Sequence, residues 1–560
     1  MYLSVESKAN RRIKMKRKFV KRITALLCVT AMVMTAFTAC GNKPSKVDNS
    51  GTGEKNLKIL MRAKGYGTQW LEAAADAFEK KNEGVTVDIT LVNSAEVIQA
   101  DIKNVEFCDT DLYIDIVELS GHKLLEEYKY AYENSQAMRD MTALYSKEIP
   151  GEGITYKEKM NDSILYACTV DGRTTEDESD DTYFFAPYVT GAMGLYYNET
   201  VIDNALGKGN WEVPNTTDEL IALCKRLQEK ECMILLPGSM DQWTASLFLP
   251  WWSQYEGQEN YRKFFEGIGF EKNSGMEAEY SASILEQPGR LASLEASYDL
   301  ISYDNGFAPK NAVEINTNNL NEYQTRFTLS KFNYAFYPCG DWLMQELKNN
   351  STIESDSVIK LMKTPVISSI IDSTNSYSRG QEKRLPNITS DEMLSQVIDY
   401  VDGNGELPAG VTEEEVAFVA DARNAVASKA LEHVAYAPAF SNAAELADEF
   451  LLFLASDEGI KIFKENCIGG FAPFDYEFKD LSVTEQSVYE ATKNAIYVDD
   501  FCHNELFYRA GISGTNAGTS DTLESLLCKP NGKTAQELFD MMIAAYGGAK
   551  WASYLTAINR

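Results

Sequence analysis

Apolar positions at the start of the ordered chain alternate between two periods. LKILM (57–61) is a short apolar run with the length of a strand. Across 68–81, Leu71, Ala74, Ala75 and Phe78 fall at i, i+3, i+4 and i+7, one face of a helix. Gly84 ends that pattern. VTVDITLV (85–92) then switches to period two, setting Val85, Val87, Ile89 and Leu91 against polar neighbours. After a further helix-like stretch, DLYIDIV (111–117) is apolar almost throughout, as expected of a strand covered on both faces. Strand, helix, strand, helix, strand predicts an α/β unit with a mainly parallel sheet flanked by helices. Ligands of such sheets bind beyond the carboxyl ends of the strands. That rule selects the loop Ala63-Lys64-Gly65-Tyr66 and the segment 115–120.

A second unit opens at TYFFAPYVTGAMGLYYNETVI (182–202), rich in aromatic and apolar residues. In VPNTTDELIALCKRLQEK (213–230), Thr216 and Glu219 have capping-box spacing, and Leu220, Leu223, Cys224 and Leu227 make a buried stripe. NYAFYPCGDW (333–342) reads as a strand ending in a tight glycine turn. A helix opens at 442–445 with Leu446, Phe450, Phe453 and Leu454 on one face; it restarts at Ser456-Asp457, and Gly469-Gly470 closes it. Thr534 with Glu537 caps a last helix. The acidic run TTEDESDD (174–181) lacks the spacing of a calcium loop and reads as a solvated tip.

The N-terminal segment has a different character. Nine Lys/Arg residues precede or begin an apolar run that stops at Ala39-Cys40, and the chain turns polar at once. A positive region, a short apolar region and small residues before a cut describe a secretory signal over 1–39, with Met1 or Met15 as start. Thr38-Ala39-Cys40 resembles the lipobox of bacterial lipoproteins, in which the cysteine is acylated; Phe37 stands where that pattern prefers Leu. Residues 40–56 are small and polar, a flexible tether. Beyond residue 39 the chain carries 44 basic and 82 acidic residues, a net charge of −38. Nucleic acid is excluded as a partner, because its binding rests on neutralising phosphates with Lys and Arg. Eight cysteines besides Cys40 are scattered without a Cys-x-x-Cys pair or a Cys/His cluster, which speaks against a metal site; disulfide pairing in an exported chain and buried free thiols are both open to them. About 520 residues exceed the roughly 250–300 that one core serves, so at least two lobes are expected.

Six motifs then fall in a familiar order: KGYGTQWLEAAADAFEKKNEGVTVDI, DLYIDIV, YFFAPYVTGAMGLYYNETVI, VPNTTDELIALCKRL, CGDW and ELADEFLLFLASDEGIKIFKENCIGGFAPF. Together they resemble the extracellular solute-binding proteins of ABC importers, specifically the sugar-binding group that includes maltose-binding protein. The resemblance implies a periplasmic-binding-protein-like fold of two α/β lobes joined by a hinge. It assigns 57–187 and 366–480 to the N-lobe, and 188–365 and 481–560 to the C-lobe. It also implies a carbohydrate ligand held between the lobes, delivery to the importer's transmembrane permease, no cofactor, and a monomer. The lipid on Cys40 would hold the protein to the outer face of the cell membrane, its one membrane contact.

The residue types suit a sugar independently of the family. Flat aromatic faces receive the apolar faces of a pyranose, and charged groups receive its hydroxyls. Trp342 matches the family's stacking tryptophan after the glycine turn, beside Asp341. Trp243, Trp251 and Trp252 lie in DQWTASLFLPWWSQY (241–255), where an extended backbone would turn one of the adjacent pair to the cleft. Lys64 and Tyr66 match the Lys-Gly-Tyr of the maltose-binding branch. Asp115 and Glu118 close the third strand, and Tyr188 lies in the crossing segment. The other readings are an exported carbohydrate-active hydrolase and a peptide-binding lipoprotein of similar architecture. No G-x-S-x-G, H-E-x-x-H or P-loop is present, and the three histidines stand in no recognisable catalytic setting.

Overall fold

The computed structural model describes residues 55–92, 109–115, 139–169, 181–271, 274–350, 353–439, 441–500 and 512–557. The signal peptide, Cys40, most of the tether, Glu118 and nearly all of the acidic run lie outside those residues. The described residues form one compact unit, built on two separate sheets and a small hairpin.

The first sheet has the order β2 (Thr86–Val92), β1 (Asn56–Arg62), β3 (Leu112–Ile114), β12 (Val434–Tyr436), β4 (Ala186–Pro187). Its β2-β1-β3 part is parallel, as expected, and helix α1 (Gln69–Lys81) connects β1 to β2 by burying Trp70, Leu71, Ala74, Ala75 and Phe78. Each large apolar side chain removed from water there contributes roughly 1.5–3 kcal/mol. The second sheet runs β13 (Ile496–Val498), β11 (Ala425–Ser428), β5 (Ala192–Asn198), β9 (Tyr334–Gly340), β6 (Met233–Ile234), with β10 (Ile359–Leu361) also on β5. Strands β7 (Ile268–Phe270) and β8 (Glu277–Glu279) form the hairpin.

Both sheets are mixed, not mainly parallel. The antiparallel pairs all involve β5 or β12, which the chain enters on passing from one sheet to the other. It passes from β4 to β5 through 188–191 and returns from β11 to β12 through 429–433. A third passage follows Phe474, which is buried in the first core; helix α2 (Val483–Thr492) then packs on β10. The segment 366–424, expected with the first sheet, places Ile367, Ile370, Leu394, Val397 and Val419 in the second core. An amphipathic helix shows in sequence that it has an apolar face, but not which sheet it covers.

The tryptophan segment 241–255 is helical, not extended: a π-helix over Thr244–Phe248 runs into α3 (Leu249–Glu256). Pro250, without an N–H, sits where the helix changes register. Trp243, Trp251 and Trp252 are consequently buried in the second core. Their indole N–H groups donate to Ser297 Oγ (3.2 Å), the Pro365 carbonyl (3.0 Å) and Gln287 Oε1 (2.9 Å). With both faces packed and the N–H spent, none of the three can stack on a ligand.

Local capping follows the sequence with one variation. Thr534 and Glu537 form the reciprocal box. Thr216 Oγ1 accepts from Glu219 N, but the Glu219 carboxylate reaches one residue further back, to Asn215 N. The described cysteines are free, buried thiols. Among the described residues, no helix is long and apolar enough to cross a membrane, and no cluster of three or more His, Cys, Asp or Glu could hold a metal ion.

Candidate ligand site

The carboxyl ends of β1, β3 and β9 meet the crossing segment 429–433 at one place. Beyond β1 the chain turns at Lys64-Gly65-Tyr66-Gly67, closed by Gly67 N donating to the Lys64 carbonyl (2.9 Å). The turn puts Tyr66, fully buried, against the end of β9, where its hydroxyl donates to Asp341 Oδ1. Asp341 N is tied to the Ala192 carbonyl (2.8 Å), and Thr190 Oγ1 donates to Asp341 Oδ2 (3.4 Å). Burial pushes the Asp341 carboxyl up to about 7, although the hydrogen bonds from Tyr66, Ala192 and Thr190 work the other way. The same burial, with Asp341 beside it, raises the Tyr66 phenol well above its usual value, so Tyr66 remains a donor.

Trp342 follows Asp341 and is only partly buried. Its ring folds back on its own strand: a Cβ on Gly340 would lie 2.2 Å from it, so that position requires glycine. Gly65 lets the β1 turn approach the same indole, where a Cβ would come within 2.9 Å. Tyr66 meets Trp342 edge to face at 6.0 Å, and Met193, Ala245 and Ala427 form the apolar floor that Trp342 packs on.

Asp115, at the end of β3, adopts φ 58°, a left-handed conformation unusual for a residue with a side chain. It is fully buried; Tyr188 Oη donates to its Oδ2 (2.6 Å) and His433 Nδ1 lies 3.2 Å from its Oδ1. Tyr188 in turn stacks on Trp70 at 4.5 Å. The crossing segment adds charge. Lys64 Nζ donates to the Glu432 carbonyl (2.9 Å), and Lys429 Nζ pairs with Glu432 Oε1 (2.9 Å). Burial alone would lower the Lys429 pKa, but Glu432, Asp500 and Asp241 outweigh it and hold the ammonium above its usual range.

Of the residues expected at the site, Lys64, Tyr66, Asp115, Tyr188, Asp341 and Trp342 come together here, while Trp243, Trp251 and Trp252 do not. Sequence reasoning missed Thr190, Asp241, Lys429, Glu432 and His433. The signal available for the last three was SKALEHVAYA (428–437), a charged break between two short apolar runs.

Residues 64–318 match the family model described as bacterial extracellular solute-binding protein. No curated protein sequence matches the chain. Solved structures with a similar fold include a family 1 extracellular solute-binding protein from Bifidobacterium longum subsp. infantis. It has 13% identity and a TM-score of 0.51, covering 90% of this chain and 100% of that one. A protein studied for xylan utilization by Caldanaerobius polysaccharolyticus has 14% identity and a TM-score of 0.52, covering 88% and 100%. A probable secreted solute-binding lipoprotein from Streptomyces coelicolor has 14% identity and a TM-score of 0.51, covering 89% and 99%. At these identities the structures speak for the fold alone. Over 64–318 in sequence, and over most of its length in fold, the chain is similar to the bacterial extracellular solute-binding proteins, whose two-lobed α/β architecture it shares.

Proposed function

We propose that this protein is an exported receptor that closes over a carbohydrate without altering it and hands it to the membrane permease of an ABC importer. The observation that carries this reading is Trp342: a partly exposed indole, held from behind by glycines, with His433 6.0 Å away and Lys64 in the adjoining turn, while the fully buried Asp115 and Asp341 hold His433 and Tyr66 in place. An aromatic plane bordered by fixed polar groups suits a pyranose, which offers an apolar face and a rim of hydroxyls. The cations at this place are engaged, Lys64 by the Glu432 carbonyl and Lys429 by the Glu432 carboxylate. A neutral sugar fits that arrangement better than a uronate. Contacts made by a ligand to both sheets' loops would favour the state in which those loops approach, the state a permease reads.

A thermal-shift screen against neutral oligosaccharides tests the reading, since saturating ligand raises the melting point of a protein that binds it only when folded. Trp342→Ala is expected to weaken binding of the best hit by roughly 1–3 kcal/mol, the effect of a lost aromatic anchor. Unchanged titration heats would remove Trp342 from the site. For the anchor, Cys40→Ser is expected to move the protein from the membrane fraction to the medium; persistence with lipid would count against acylation.

A further inference from the structure

We infer that His433 reads a ligand hydroxyl through Nε2, and that Asp115 and Tyr188 act as positioning residues that hold it in the tautomer this requires; the inference rests on the carbohydrate reading above. The proton inventory of the cluster leads there. Tyr188 keeps its phenolic proton, because burial and the adjacent Asp115 carboxylate raise its pKa well above the usual value. That proton is used on Asp115 Oδ2 at 2.6 Å. The contact between Asp115 Oδ1 and His433 Nδ1, at 3.2 Å, therefore takes its proton from the imidazole. Nδ1 is the protonated nitrogen, and in the neutral ring Nε2 carries the lone pair. This is how a carboxylate orients a histidine at sites where the other nitrogen is the working atom.

The surroundings agree with that assignment. The histidine's backbone is fixed at both ends, its N–H on the Ala430 carbonyl (3.0 Å) and its carbonyl accepting from Tyr188 N (3.3 Å). Its ring stands edge-on to Tyr66 at 4.7 Å and lies 6.0 Å from the Trp342 indole. No described residue bonds Nε2, whereas Nδ1 has two polar neighbours. Asp115 accepts a left-handed backbone to reach Nδ1, and strain of that kind concentrates where a group must be held for a function. A fixed acceptor beside the stacking plane suits a donor on the rim of the sugar. A ligand with a hydroxyl at that place is preferred over its deoxy or O-methyl counterpart.

Two substitutions separate reading from scaffolding. Asparagine reproduces the Nδ1 position and can still donate to Asp115, but it ends short of Nε2. Glutamine reaches the Nε2 position. Full-length wild type, His433→Asn and His433→Gln are titrated with maltotriose, xylotriose and raffinose. For whichever sugar the wild type binds, His433→Asn is expected to weaken binding about tenfold, the effect of one lost hydrogen bond, at an unchanged melting temperature. His433→Gln is expected to recover most of that loss. Wild-type affinity in His433→Asn overturns the inference and leaves the carbohydrate reading standing. Failure of the wild type to bind any of the three sugars counts against the carbohydrate reading instead. In that case the long-range proton–nitrogen spectrum of the ligand-free protein, with the His433 signal identified by its loss in His433→Asn, decides the tautomer. A proton on Nδ1 near neutral pH is expected; a proton on Nε2 overturns the inference.

Discussion

Gly469→Ala is expected to abolish ligand binding at this site and to cost several kcal/mol of stability. The residue follows helix α4 (Asp457–Asn466), whose Ile460 and Phe463 are packed in the first core, and has φ +95°. A side chain in that conformation is itself costly, on the order of 1–3 kcal/mol. The larger effect is steric. A Cβ at this position would lie 2.1 Å from the carbonyl oxygen of Asp341, a backbone atom that no rotamer change can move. Relief comes only by separating the 467–470 turn from the end of β9. That movement draws Asp341 off the Tyr66 hydroxyl and Trp342 away from Gly65. Because Asp341 is fully buried, a lost partner leaves a carboxyl poorly satisfied, a penalty of about 1–3 kcal/mol. Urea unfolding and calorimetric titration measure the two consequences. Wild-type behaviour in both would mean that the two turns do not meet in solution.

Stability is expected to fall as pH is raised from 5 to 8. Three carboxyls, Glu256, Asp341 and Glu524, are pushed up to about 7, in each case chiefly by burial. Their usual values are 4.5, 3.8 and 4.5, so between those values and 7 the folded chain binds protons that the unfolded chain has released. Their stabilising contribution is complete at low pH and disappears as pH passes through 7. The carboxyls held low by partners, such as Asp402 beside Arg423 and Glu485 beside Lys464, titrate below this window and do not oppose the trend. A shift of one unit corresponds to about 1.4 kcal/mol, so each raised group accounts for up to a few kcal/mol. Glu256 is the simplest to isolate. Its Oε1 accepts from Gly289 N (2.7 Å), while Oε2 is buried without a partner among the described residues. Glu256→Gln keeps the Gly289 bond and removes the charge. The variant is expected to melt higher than wild type at pH 8 and at nearly the same temperature at pH 5. Moderate salt distinguishes this from repulsion across the acidic surface, which is screened while a buried group is not. A melting point that rises with pH would contradict the assignment.

Much of the candidate site is legible in the sequence. Lys64, Tyr66 and Asp115 were reachable because they lie at the ends of strands whose pattern is visible, where ligands of α/β sheets gather, whereas Trp342 was reachable only through the resemblance to the sugar-binding family. The Thr534 cap and the buried stripe of 217–228 were equally plain, being set by neighbours three and four residues apart. The tryptophan segment shows the opposite case. TASLFLPWW is apolar at nearly every position, so periodicity cannot separate a covered strand from a covered helix, and the helical outcome buried the three indoles expected to meet ligand.

What the sequence determined by itself is therefore local: which segments are strands, where helices start, and that a tryptophan follows a glycine turn at the end of one strand. Only the tertiary structure decided that 366–424 covers the second sheet, and that Asp115 meets a histidine 318 residues further along the chain. The reason is one of range. Period and capping act over a single turn and are written into adjacent residues. Pairing across the crossing strands depends instead on how two separately packed cores dispose their ends, and no short window of sequence contains both partners.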